Sequence, residues 1–159
     1  MRQIVLLKLS LLVVVCGCFG PPKPDGLPDR IPFEITLAQD GNPLQEAAIQ
    51  LASPDVPWAI TGNTDSRGKA KMVTHGQFSG VPPGVYKVIV RKQETESTLS
   101  ENKKMQTLKF YSLVDPKYND RKTTTLELTI EKGQKSATLE TGSPVRVFLY
   151  SETVPVSEL

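Results

Sequence analysis

The sequence predicts an all-β protein, an antiparallel β-sandwich of seven or eight short strands. Apolar and polar residues alternate with a period of two in several short runs, which is the pattern of strands with one buried face. Turn residues separate these runs at the spacing expected of a sandwich. The 159 residues also include 13 prolines and 11 glycines, a composition that favours many turns and few long helices.

The first two predicted strands flank a turn at residues 40–43. Gly41 and Asn42 tolerate positive φ there, and Pro43 cannot continue a strand ladder. The alternation places on one face Phe33, Ile35 and Leu37 of the first strand and Ala47, Ile49 and Leu51 of the second. We interpret this segment as a β-hairpin or its equivalent in a sandwich.

The third and fourth predicted strands flank a polar turn at residues 64–68. Trp58 and Ile60 share one face of the third strand. In the turn, the carboxylate of Asp65 can cap the backbone, and Gly68 supplies a left-handed residue. The fourth strand runs through Ala70, Met72 and Thr74.

A rigid Pro-Pro-Gly corner at residues 82–84 begins the next strand. Beyond it, Tyr86, Val88 and Val90 face one way while charged residues face the other. Tyr86 stands at the start of the strand, where its ring can pack and its hydroxyl can reach the backbone.

Residues 93–114 are polar and weakly patterned, and we interpret them as a partly ordered insertion in the sandwich. Met105, Leu108 and Tyr111 could share a helical face, but neither a cap nor a long periodicity supports a helix. The turn-forming residues 115–120 then predict another turn.

The last part of the sandwich is predicted to contain two or three strands. Leu126, Leu128 and Ile130 alternate with polar residues, and Ala137 and Leu139 form a return strand. Residues 145–150 are apolar on both faces, which fits a fully covered strand, or a swapped or docking edge. We therefore assign the sandwich to residues 33–150 and a flexible tail to residues 151–159.

Residues 1–18 have the pattern of a secretory signal peptide. Arg2 and Lys8 supply a positive start, an apolar run follows at residues 9–15, and small residues precede a cleavage point. The apolar run is too short for a stable membrane span, which needs about 20 residues.

Residues 15–18, Val-Cys-Gly-Cys, resemble the lipobox of bacterial lipoproteins. The resemblance implies that Cys18 becomes the lipidated N-terminus and anchors the chain to a membrane, since several acyl chains hold a protein stably on a bilayer. Phe19 is not the acidic residue that signals retention at the inner membrane, so the outer membrane is favoured. An ordinary signal peptide with incidental cysteines is the alternative.

Residues 19–32 contain five prolines and two glycines and show no periodicity, so we interpret them as a Pro-rich tether. At about 3.1 Å per residue, the tether could hold the domain roughly 40 Å from the membrane.

Charge and cysteine content exclude several functions. The chain has 19 basic and 17 acidic residues, and two of the basic residues lie in the leader, so the remaining chain is near neutral. It lacks the basic footprint of a nucleic-acid-binding protein. Cys16 and Cys18 are the only cysteines, which excludes a disulfide framework or a thiolate metal site in the domain.

Four motifs together resemble the carboxypeptidase regulatory-like, or transthyretin-like, domain. They lie at residues 41–44, 47–51, 64–68 and 82–88, and the resemblance covers roughly residues 31–92. A further similarity at residues 114–126, to small lipoproteins built on this domain, extends it to about residue 140. The resemblance implies a transthyretin-like/Ig-like sandwich without catalytic residues, because this domain accompanies an enzyme and does not perform its chemistry.

The residues offer little support for catalysis or for a metal or cofactor site. His75 is the only histidine. A catalytic zinc site needs several protein ligands, and a serine nucleophile needs a base that is itself oriented by a partner, so one isolated imidazole is insufficient for either. Asp115, Asn119 and Asp120 could attract Ca²⁺, but they lack EF-hand spacing, and a capped turn is the better interpretation.

The sequence therefore predicts a membrane-tethered, non-enzymatic lipoprotein of the cell envelope. Its sandwich would be a structural or protein-binding module, with the membrane at Cys18 and an envelope protein as partners. The alternative is a surface carbohydrate-binding module with a glycan partner. That function requires an exposed planar group among Trp58, Tyr86, Tyr111 and Tyr118.

Overall fold

The computed structural model describes residues 22–156, and within them the chain is all-β. The strands are β1 (Glu34–Gln39), β2 (Asn42–Pro43), β3 (Ala48–Ala52), β4 (Ile60–Asn63), β5 (Lys69–Lys71), β6 (Val73–Thr74), β7 (Phe78–Ser79), β8 (Gly84–Arg91), β9 (Gln93–Leu99), β10 (Met105–Ser112), β11 (Glu127–Ile130), β12 (Ser136–Glu140) and β13 (Val147–Pro155). A 3₁₀ turn spans Pro116–Asn119. None of the helical segments among these residues is long and apolar enough to cross a membrane.

Two sheets form the predicted sandwich. One has the order β11-β8-β3-β4-β6-β7, and the other joins β12, β1 and β2, with β5 also paired to β1. Seven strands of the sandwich are three or more residues long, namely β1, β3, β4, β5, β8, β11 and β12. The prediction of an all-β sandwich is therefore confirmed.

The core lies between the two sheets and is built from the alternate residues that the sequence pattern indicated. Ile35 and Leu37 of β1 are fully buried, as are Val88 and Val90 of β8. Each such side chain contributes about 1.5–3 kcal/mol when it leaves water. The period-two pattern thus marks the inward face of each sheet.

The two strands predicted on either side of the turn at residues 40–43 do not form a β-hairpin but lie in opposite sheets of the sandwich, which was the second predicted alternative. β1 turns through Asp40 and Gly41 into the short β2, with Gln39 paired to Asn42. β3 then crosses to the opposite sheet, where it pairs with β4 and β8. The two apolar runs consequently face each other across the core instead of lying side by side.

The third and fourth predicted strands need correction. β4 begins at Ile60, so Trp58 lies outside the strand and is half-buried. The predicted fourth strand divides at Met72, because β5 pairs with β1 while β6 pairs with β4 in the other sheet. The chain can change sheets there without exposing the core, since Ala70 and Met72 are both buried.

The return strand β12 does not pair with β11. It runs parallel to β1, with Glu34 opposite Ser136 and Leu37 opposite Leu139, and this is the exception to the predicted antiparallel pairing. Leu139 packs against the core from the β1 sheet, whereas β11 lies in the other sheet beside β8.

The predicted partly ordered insertion and part of the predicted flexible tail form a third sheet. β9 and β10 make a hairpin within residues 93–114, and β13 pairs along β10 from Val147 to Pro155. Residues 151–155, predicted to belong to the flexible tail, lie in β13. Backbone pairing orders these residues although none of their side chains is buried. We refer to β9, β10 and β13 as the outer sheet.

Part of the predicted tether is docked on the sandwich. Leu27 is buried, and Ile31 and Val81 exchange two backbone hydrogen bonds of 2.9 Å. An apolar side chain in the Pro-rich run provides the anchoring contact. Residues 27–32, predicted to belong to the tether, are therefore part of the folded domain, whereas residues 19–21 lie outside the described part of the chain.

Candidate functional site

Cys18, the predicted lipid attachment site, lies outside the described residues 22–156. The described chain instead presents a second candidate, the outer sheet. Among residues 22–156, seven large hydrophobic side chains are exposed, and six of them lie on this sheet or directly after it. They are Leu99, Met105, Val147, Phe148, Tyr150 and Val156. No hydrophobic side chain of the outer sheet is buried, so its stability comes mainly from backbone pairing and contacts between neighbouring strands.

One face of the outer sheet is apolar, and strand register defines its residues. Gln106 of β10 pairs with Leu99 and Val154, and Phe110 pairs with Tyr150. The rings of Phe110 and Tyr150 stack with centroids 4.6 Å apart. What we call the apolar face therefore contains Leu99, Leu108, Phe110, Tyr150 and Val154, interspersed with the polar residues Thr95, Ser97, Gln106 and Glu152.

The opposite face is held by Arg146. Its Nε donates to Glu94 Oε2 at 3.0 Å, its guanidinium pairs with Glu96, and its Cζ lies 3.6 Å from the ring centroid of Tyr111. A hydrogen bond from Tyr111, followed by the contacts with Arg146, lowers the pKa of Glu96. This face thus carries its own ion pairs and an edge-on contact of Tyr111 with Phe148 at 5.8 Å, and the side chains of Met105 and Phe148 are exposed on it.

The two edges of the outer sheet differ in charge. Edge strand β9 carries Glu94 and Glu96, both engaged by Arg146. Edge strand β13 carries one charged residue, Glu152, in nine. Among residues 22–156, Glu152 forms no ion pair and β13 pairs only with β10. The outer side of β13 is consequently an open strand edge.

The outer sheet and the tether meet opposite ends of β8. The tether contacts the sandwich where Ile31 pairs with Val81, just before β8 begins. The outer sheet starts after the other end of β8, where only Lys92 separates β8 from β9. Eight residues of β8 separate these points by about 26 Å.

The four rings proposed for carbohydrate binding do not form one exposed group. Tyr86 and Tyr118 are buried, and the Tyr86 hydroxyl donates to the Pro82 carbonyl at 2.7 Å. Burial raises the pKa of Tyr86 to about 12. Trp58 is half-buried, and Tyr111 lies beneath Arg146. The predicted contact of the Tyr86 hydroxyl with backbone is confirmed.

His75 lies in an aromatic cluster. It is exposed, has φ of 53°, and its ring contacts Trp58 edge-on at 5.2 Å and faces Phe78 at 6.5 Å. Arg30 from the docked tether lies over Phe78 at 5.1 Å. Among residues 22–156, no group of three or more His, Asp or Glu side chains is arranged to hold a metal ion.

The carboxylates of residues 115–120 cap a turn, as predicted. Asp115 Oδ1 accepts from the Lys117 backbone N–H at 3.0 Å, and its Oδ2 pairs with Lys117 Nζ at 3.0 Å. The backbone N–H and then the ammonium of Lys117 lower the pKa of Asp115. Asp120 Oδ1 accepts from the Lys122 N–H at 2.7 Å.

An open cleft of about 600 Å³ lies where the docked tether meets the sandwich. Phe33, Glu34, Lys71 and Lys135 are among the residues that line it. The Glu34 carboxylate is paired with Lys69 at 3.0 Å, so the cleft presents mainly apolar groups and two lysines.

Sequence reasoning did not identify the outer sheet as a site. The signal was the run at residues 145–150, which was interpreted as apolar on both faces although it contains Arg146, and for which a docking edge was one of the alternatives. Its exposure supports that alternative, because Phe148 and Tyr150 are each about half exposed, at 53% and 50%. Comparison of the chain with protein-family models, with curated proteins and with solved structures found no match.

Proposed function

We propose that the protein is a lipid-anchored, non-enzymatic binding module of the cell envelope, whose transthyretin-like sandwich presents the outer sheet to a protein partner. The observation that carries this proposal is the concentration of exposed hydrophobic side chains on the outer sheet. Exposed apolar patches of this kind mark interaction sites. A role as a binding module fits this surface better than a purely structural one.

The anchoring part of the proposal rests on residues 15–18 and on the placement of the tether. Lipid on Cys18 would hold residues 19–26 at the membrane, and Leu27 and Ile31 would begin the docked segment. The outer sheet begins after the C-terminal end of β8, whereas the tether docks beside its N-terminal end. The module would therefore present the outer sheet on the side away from the membrane anchor. Export to the outer membrane is the favoured location, because Phe19 follows the cysteine.

A surface carbohydrate-binding module is less well supported. The four rings that it requires are buried, half-buried or covered by Arg146, so they offer no planar platform to a sugar.

The experiment for the anchor is metabolic labelling with a radioactive or clickable fatty acid in a bacterial host. The wild-type chain is expected to incorporate the label and to fractionate with membranes, and Cys18→Ser is expected to lose both properties. Cys16→Ser is the matched control and is expected to keep the label. Labelling that persists in Cys18→Ser would contradict the assignment of Cys18.

A further inference from the structure

Between residues 150 and 154, the open edge of β13 has neither a proline nor a bulge, two of the features that usually keep strand edges from pairing with other chains. Such edges are protected by charges, prolines, bulges or covering segments. β13 has an irregularity in register beside Phe110 and Tyr111 and ends at Pro155. Between these two features, residues 150–154 form a regular edge with one charge, Glu152. This stretch can accept the backbone of a further strand.

The side chains along this edge specify what an added strand would contact. Tyr150, Glu152 and Val154 lie on the apolar face at alternate positions. A strand paired with β13 would place its own alternate residues beside them. Apolar residues match Tyr150 and Val154, whereas a basic residue matches Glu152, which has no ion pair within residues 22–156.

A second copy of the chain fits this edge less well. β13 contains no Lys or Arg, so two β13 strands paired along residues 150–154 would offer Glu152 no basic partner, and in the register centred on Glu152 the two carboxylates would be adjacent. Pairing β13 with β9 of a second copy would add Glu94 and Glu96. A lipid bilayer is also a poor occupant, because Glu152 on the apolar face would have to leave water.

We propose that β13 docks an extended segment of a partner protein, which adds as a strand along residues 150–154 and places a basic residue beside Glu152. This inference rests on the proposed function as a protein-binding module and specifies its partner. Backbone hydrogen bonds supply affinity in this mode of recognition, and alternate side chains supply specificity.

The test uses the full chain purified in detergent and two short fluorescent peptides. Both alternate threonine with valine, and the central apolar-face position is lysine in one peptide and glutamate in the other. We expect the lysine peptide to bind about threefold to tenfold more tightly by fluorescence anisotropy, because an exposed charge pair contributes up to about 1 kcal/mol and repulsion replaces it in the other peptide. The amides of β13 are expected to exchange more slowly with solvent when the peptide is bound.

The variant Glu152→Lys is expected to reverse the preference between the two peptides. Glu131→Lys carries the same charge change on an exposed residue of the sandwich and is expected to preserve the wild-type preference. Equal binding of the two peptides, absence of binding by a chain with native circular dichroism, or an unchanged preference in Glu152→Lys would each overturn the proposal.

Light scattering on the same samples tests the second-copy alternative. A monomer is expected, and a dimer that dissociates in Tyr150→Lys would replace the proposal with self-association. The anchor is tested separately, since peptide binding is expected to persist in Cys18→Ser. Normal acylation without peptide binding would reject the docking edge alone, and peptide binding without acylation would reject the anchor alone.

Discussion

At the scale of single residues, the turn after β4 shows how a short polar motif joins two parts of the sandwich. Asp65 Oδ1 accepts from the backbone N–H groups of Arg67 and Lys69 at 2.8 and 2.9 Å. The Gly68 carbonyl accepts from the Leu37 N–H at 2.8 Å, which ties the turn to β1. Gly68 has φ of 72°, and a Cβ placed there would lie 2.5 Å from the Leu37 carbonyl oxygen.

We expect Gly68→Ala to lower the free energy of unfolding by about 3 kcal/mol or more, because it adds a backbone clash to the strain of a left-handed residue. Gly41→Ala is the matched control. Its φ is 73°, but a Cβ would meet nothing within 4 Å, so only the strain of about 1 kcal/mol is expected. Urea denaturation measures both losses, and equal losses would contradict the clash.

Tyr86 gives a prediction for alkaline pH. Its pKa is about 12 in the folded chain and 10.0 in the unfolded chain, because burial disfavours the phenolate. The folded state therefore keeps this contribution to stability below pH 10 and loses it as the pH rises through 12. Urea midpoints measured across this range are expected to fall.

Tyr86→Phe is expected to remove the Tyr86 part of that alkaline loss. At neutral pH it should cost about 1–2 kcal/mol, since the Pro82 carbonyl loses its hydrogen-bond donor. Tyr150→Phe removes an exposed hydroxyl and is expected to leave the Tyr86 contribution in place. An alkaline loss that is unchanged in Tyr86→Phe would show that another group causes it.

At the scale of elements, the docked part of the tether is more than a spacer. We expect Leu27→Ala to lower the free energy of unfolding by about 2–3 kcal/mol, because Leu27 is 4% exposed. Leu99→Ala makes the same change in the outer sheet, where Leu99 is 53% exposed, and should cost less than about 0.5 kcal/mol. Thermal or urea unfolding measures both. Equal effects would mean that residues 27–31 do not dock in solution.

A strand could be predicted from the sequence only where it buries apolar side chains on one face. β1, β3, β8 and β11 each bury alternate apolar residues, so their patterns were visible, and the turns carried Gly, Pro, Asn and Asp. β9 is exposed at every position and its sequence has no apolar alternation, so it could not be recognised as a strand. Its order depends on pairing with β10, which in turn pairs with the distant β13.

At the scale of the whole molecule, the two candidate sites come from different kinds of information. Cys18 is predicted as a lipid attachment site from residues 15–18 alone, because a lipobox is a local sequence pattern. The β13 edge could not be predicted in this way, because the exposure of Tyr150 and the isolation of Glu152 arise only when β13 pairs with β10. Ile31, in the docked segment that precedes the sandwich, and the outer sheet lie at opposite ends of β8, so the fold itself separates them.

The parallel pairing of β1 with β12 has a consequence for the order of folding. β1 is the first strand of residues 22–156, yet its neighbour on one side is Ser136–Glu140. Contacts between such distant segments form slowly, because a long loop must close before they are gained. The β1 sheet therefore remains incomplete until Ser136–Glu140 have been synthesised. A chain that stops before Ser136 would lack β12, the strand that pairs with β1 beside Ile35 and Leu37.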